Sequence, residues 1–161
     1  MVNESPMKTE APRTGHTLVI GCGNLLCGDD AVGPTLIQRV RDRGVPHGIE
    51  CFDAATDAIS VIDVMRGMAR VVFVDACLSG AAPGTIIELS GNDADDIPPA
   101  RIPLHSLRWN HAIAAARRML GPDYPRSVMA WLVEGRNFEP GAPLTPAVDK
   151  AIDQLVTRLM D

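Results

Sequence analysis

The chain has 161 residues, 46% of them hydrophobic and only 4% aromatic, which is enough for one domain with an aliphatic core. Its formal net charge of −5 argues against nonspecific nucleic-acid binding, which needs a basic surface to displace counterions. No Lys- or Arg-rich run suits an anionic membrane, no apolar core of a secretory signal opens the chain, and the longest uncharged apolar stretch, Thr17 to Gly28, is too short and glycine-rich to span a bilayer. Cys22, Cys27, Cys51 and Cys77 form no C-x-x-C pair, and a domain this large needs no disulfide staples. They read as reduced thiols of a cytoplasmic protein, with Cys22 and Cys51 best suited to be small buried hydrophobes.

Residues 1–16 are polar and without periodicity, and read as a disordered tail ahead of a single domain over 17–161. "TLVIGC" (17–22) is a short apolar run ending the way a buried strand does. A helix is expected over 30–44, with Val32, Leu36 and Val40 on one face and Gly44 as its stop. "IECFD" (49–53) reads as a strand. Residues 57–68 read as a helix with Ile59, Val61, Ile62 and Met65 on its apolar side. "RVVFVDA" (70–76) is a strand with both faces apolar, and "GTIIEL" (84–89) follows without a helix between, as an antiparallel edge strand would. A proline-rich acidic loop (90–104) leads to a helix over 105–120 with a basic last turn that suits the helix dipole. A strand over 127–134 and a helix over 145–160, with Thr145 as N-cap and Pro146 in the first turn, complete the chain. The pattern predicts an α/β fold: a three-layer αβα sandwich around a mostly parallel twisted sheet of about five strands.

In such a sheet, ligands sit beyond the carboxyl ends of the strands. Three loops fall there: Gly21–Asp30, Asp75–Gly84, and the segment entering the helix near His105. The first reads "GCGNLLCGDD". It is no dinucleotide fingerprint, since Leu26 stands where the third glycine belongs, and it lacks the Lys of a phosphate loop. Asp29 and Asp30 would repel an anion and attract a cation. Singly, each residue has a plain structural reading: a capping aspartate pair, a carboxylate bonding nearby amides at Asp75, a helix-start histidine at His105. Together, two carboxylates and an imidazole from three loops on one sheet edge suit a first-row divalent metal.

The runs "VIGCGNLLCGDDAVGP", "VVFVDACLSGAAPGTI", "LHSLRWNHAIA" and "LVEGRNFEPGAPLTPAV" carry a resemblance to the hydrogenase maturation proteases, over about residues 17–160. That resemblance implies an endopeptidase of the aspartic-type grouping. It would trim the C-terminal extension from the precursor of the [NiFe]-hydrogenase large subunit after nickel insertion. It implies Asp30, Asp75 and His105 as catalytic and metal-binding residues, acting on nickel that the precursor supplies and that serves as a recognition handle. His111, six residues on and on another helix face, is the alternative ligand. Arg108 is either a binder of a substrate carboxylate or a solvated surface residue. Asn24 is a turn residue that could also donate to substrate backbone. Where the resembled proteins carry Gly-Gly-Thr after the second strand, this chain has Ala54, Ala55 and Thr56, so a positive φ there would be strained. The competing readings are a metal- or precursor-binding chaperone without turnover, a thiol hydrolase using Cys27 or Cys77 with His105 or His111, and a nucleotide-binding enzyme.

Overall fold

The computed structural model describes residues 13–55, 57–90 and 109–161. The expectations placed on His105, Arg108, Thr56 and the acidic loop therefore lie outside the described residues. Strand β1 (Arg13–Cys22) is followed by a single 3-10 turn (Gly28–Ala31) and helix α1 (Val32–Arg43). Then come β2 (Ile49–Ala55), α2 (Ala58–Met65), β3 (Met68–Cys77) and β4 (Ile86–Ser90). Helix α3 (Trp109–Leu120), β5 (Ser127–Glu134) and α4 (Pro146–Met160) finish the chain.

The five strands form one sheet in the order β2-β1-β3-β5-β4. All neighbours run parallel except β4, which pairs antiparallel with β5 at the edge. This is the expected architecture, edge strand included. Period-two alternation along buried strands divides the core between two faces. Val19, Val72, Val74, Trp131 and Val133 pack against α1 and α4, whose buried stripe includes Leu36, Ile37, Ile152 and Leu155. Leu18, Ile20, Phe73, Ala130 and Leu132 face α2 and α3, which contribute Val61, Met65, Ile113 and Ala116. Across the first face, Arg39 of α1 bonds Asp149 and Asp153 of α4. Arg158 of α4 pairs with Glu88 on β4 and lies over the Trp131 ring at 4.6 Å.

Several expected boundaries shift for local reasons. β1 starts at Arg13, inside the stretch read as a tail, with a register irregularity between Arg13 and Thr17 where Gly15 sits at φ +102°. The start expected at Asp30 is a 3-10 turn, and regular helix begins only at Val32. Gly33 explains why α1 crosses the sheet so closely. A Cβ there would come within 2.2 Å of the Cys22 carbonyl oxygen and 2.6 Å of that of Val74. Asp57 caps α2 by accepting from the Ile59 and Ser60 amides. Ile59 is 75% exposed rather than on the apolar side. Val61, Ile62 and Met65 reach the core. Thr145 does occupy the N-cap position of α4, yet its side chain makes no capping bond.

Candidate active site

The strand order changes direction at β1: the chain leaves β1 for β2 on one side and later returns to β3 on the other. Loops leaving β1 and β3 therefore diverge and open a crevice between their carboxyl ends, where open α/β sheets bind ligands. Both described carboxylates expected at the site lie there. Asp75 is two residues before the end of β3, and alternation turns it toward the α2/α3 face with Phe73 and Cys77. Asp30 sits in the turn after β1. Helix α3 ends at the opposite edge of the sheet, where Asp123 accepts from the Gly67 amide, so α3 begins near the carboxyl edge on the same face.

Among the described residues, the buried charged side chains are Asp29, Asp30, Asp75 and Glu134. All four stand at this edge, but their surroundings divide them into two kinds. Burial raises the affinity of Asp30 for its proton, and one amide, that of Asn24 at 3.0 Å, opposes the shift. Burial pushes Asp75 well above the usual carboxylate range, and the charge on Asp30 pushes it further. It accepts from the adjacent Ala76 amide at 2.8 Å. The Cys22 thiol on the neighbouring strand is held up by burial first and then by the charges of Asp75, Asp53 and Asp30. Among the described residues Asp30 and Asp75 are thus carboxylates with few donors, and the charge of Asp30 bears on Asp75. A divalent cation would relieve their repulsion, and carboxylate oxygen suits such ions. Among the described residues there is no group of three or more His, Cys, Asp or Glu placed to hold a metal, so a complete ligand set needs a donor from beyond them. His111, the alternative to His105, is on the exposed side of α3.

Asp29 and Glu134 are the opposite kind. Burial alone would raise the Asp29 pKa, but amides of Thr145, Asn137 and Arg136 and the Thr145 hydroxyl outweigh it and hold the carboxyl below its ordinary value. Glu134 likewise stays ionised. Burial opposes ionisation, while the Ser79 hydroxyl, the Ser79 and Gly80 amides and the Cys77 thiol donate to the carboxylate. Each anion ties down a loop at the rim. Asp29 holds the β5–α4 connection, and Glu134 holds the start of the β3–β4 connection. Glu134 escaped sequence reasoning. The one signal available was an acidic residue closing the otherwise apolar run "SVMAWLVE", a place where a buried charge needs partners.

The same contacts bear on the thiol reading. Burial and the neighbouring Glu134 carboxylate push the Cys77 pKa up to about 12, so no thiolate stands ready there. Cys27 is half-buried in the first loop. A cavity of about 710 Å³ lined by Pro83, Arg136, Asn137, Thr145 and Ala147 opens toward the start of α4. Neither Asp30 nor Asp75 lines it.

A family model described as hydrogenase maturation protease (HycI) matches residues 34–161. The chain is similar to the hydrogenase 2 maturation protease of Escherichia coli K12, with 26% identity over 145 residues covering 89% of this chain and 87% of that one. It is 28% identical over 166 residues to the coenzyme F420 hydrogenase subunit delta of Methanothermobacter thermautotrophicus, covering 93% and 96% of the two chains. Among solved structures, the hydrogenase maturating endopeptidase HybD of E. coli shares the fold, with a TM-score of 0.76 at 24% identity over 89% of each chain.

Proposed function

This chain belongs to the hydrogenase maturation protease family, a family of peptidases, and we propose that it removes the C-terminal extension of a [NiFe]-hydrogenase large-subunit precursor once nickel has been inserted. The observation that carries this reading is the pair Asp30 and Asp75, two buried carboxylates at the switch point of the sheet, one in the turn after β1 and one near the end of β3, each with few donors among the described residues. In this reading the nickel is part of the substrate. Asp30 and Asp75, with His105 as third ligand, complete its coordination and so fix the adjoining peptide in the crevice. The scissile carbonyl is then polarised and a water attacks it. A new C–O bond forms, the C–N bond breaks, and the leaving amine takes a proton. In this reading recognition runs through the metal, so an unloaded precursor is spared. An acidic chain with reduced thiols, in which no helix of the described residues is long and apolar enough to cross a membrane, suits action in the cytoplasm.

The test is intact-mass analysis of the precursor, with and without nickel, after incubation with wild type, Asp30→Asn, Asp75→Asn and His105→Ala. Loss of a C-terminal peptide only from nickel-loaded precursor, and only with wild type, is the expected result. Tight binding without any mass change would favour a non-catalytic chaperone. Cleavage without nickel that disappears on thiol alkylation would overturn the metal-directed reading.

A further inference from the structure

Asp29 and Thr145 are 116 residues apart in sequence and meet at the rim of the site. The Asp29 side chain is fully buried and accepts from the amides of Arg136 (2.8 Å), Asn137 (3.0 Å) and Thr145 (2.8 Å). The Thr145 hydroxyl lies 3.0 Å from both carboxylate oxygens, and the Asp29 amide donates to the Asn137 carbonyl at 2.7 Å. The Thr145 hydroxyl is thereby diverted from capping its own helix. On the other side of the same turn, the Asn24 amide reaches both the carbonyl (3.2 Å) and the carboxylate (3.0 Å) of Asp30. The turn has no slack. A Cβ on Gly28 would lie 2.3 Å from the Asn137 carbonyl oxygen, and one on Gly23 would lie 1.9 Å from that of Asp30. Consecutive residues of one 3-10 turn are thus gripped from opposite sides, Asp29 by the β5–α4 loop and Asp30 by the β1 loop.

We propose that Asp29, latched to Thr145, is the positioning residue for Asp30, and that the Leu144-Thr145-Pro146 run serves the site through this latch rather than by touching substrate. The inference rests on the protease reading above. Asp29 sets the rotation of the turn, and the turn sets where the Asp30 carboxylate points. A displacement on the order of 1 Å in a reacting group is enough to lower a rate about a hundredfold.

The experiment compares Thr145→Ser, Thr145→Val and Asp29→Asn by kcat, KM for the nickel-loaded precursor, melting temperature, and calorimetric affinity for Ni²⁺ alone. Thr145→Ser keeps the hydroxyl and is expected to match wild type throughout. Thr145→Val keeps the amide bond and loses one donor. It is expected to stay folded, with kcat and Ni²⁺ affinity each down about fivefold, as one hydrogen bond implies, and KM within about twofold. Asp29→Asn, which turns an amide group toward several donors, is expected to lose about a hundredfold or more in kcat. Wild-type kcat and Ni²⁺ affinity in Thr145→Val would overturn the inference. So would losses in all variants that match the unfolded fraction in the same samples. A wild-type protein that leaves the precursor intact would instead refute the protease reading, and the Ni²⁺ arm would still report on the latch.

Discussion

Ala55 stands at φ +43°, an uncommon conformation for a residue with a Cβ, at the end of β2 where the register against β1 slips between Gly21 and Cys22. The sequence pointed to this strain, because alanines occupy a loop that glycines fill in the resembled proteins. Ala55→Gly is therefore expected to differ from most such changes and to stabilise the fold by roughly 0.5–1 kcal/mol, the conformational cost being that of a left-handed alanine. Urea unfolding measures it, and an unchanged or lower midpoint would count against strain at this position. Glu134 is the contrasting residue. Nothing in "WLVEGR" showed that its partners are Ser79, Gly80 and Cys77, since side-chain contacts 54 to 57 residues apart leave no local pattern. Removing it in Glu134→Ala leaves the Ser79 and Gly80 amides and the Ser79 hydroxyl without their acceptor, at an expected cost of about 1–3 kcal/mol in the same experiment. Cys77, donating to that carboxylate, and the fully buried Cys22 are expected to resist alkylation in the folded protein at neutral pH, with the half-buried Cys27 modified ahead of both. Peptide mapping after a short pulse of iodoacetamide would show it, and rapid labelling of Cys77 would contradict the contact.

At the scale of elements, periodicity made the strands and helices legible because the sheet is buried on both faces and reads as continuous apolar runs. "RVVFVDA" lies wholly within β3. Ends were less legible, because they depend on contacts across the molecule. The helix expected from Asp30 loses its first turn to a 3-10 conformation held by the Asp29 and Asn24 bonds, and Ile59, expected on the apolar side, is exposed. The closeness of α1 to the sheet was equally hidden, since Gly33 reads as a permissive helix-start glycine until its neighbours are known. A methyl group there would meet backbone atoms of Cys22 and Val74, which cannot rotate away. Gly33→Ala is expected to destabilise by about 1–3 kcal/mol or more through overpacking, against the small gain normal for glycine-to-alanine changes in helices. A melting temperature equal to or above that of wild type would show that α1 can shift outward without penalty.

For the molecule as a whole, four buried carboxylates on one edge give stability an unusual dependence on pH. Asp30 and Asp75 hold protons more tightly folded than unfolded, so their ionised forms oppose folding, and that penalty is relieved as pH falls from neutral through their raised pKa values. Asp29 and Glu134 hold protons less tightly when folded. Their contribution is present above the ordinary carboxylate range and is lost as pH falls through their lowered pKa values. Thermal melts are expected to show a maximum in mildly acidic solution, between the two windows. Asp75→Asn should be more stable than wild type at neutral pH and should lose most of the rise on the alkaline side. A variant no more stable than wild type at neutral pH would mean that Asp75 is not a strained anion. The long reach from Asp29 to Thr145 also has a meaning in time. On the ribosome the acidic turn emerges early and its latch only 116 residues later, an interval on the order of ten seconds at ordinary rates of synthesis. Through that interval the enzyme exists with its sheet begun and its turn unlatched. A turn held by so distant a segment stays unset until the strands between them have been made.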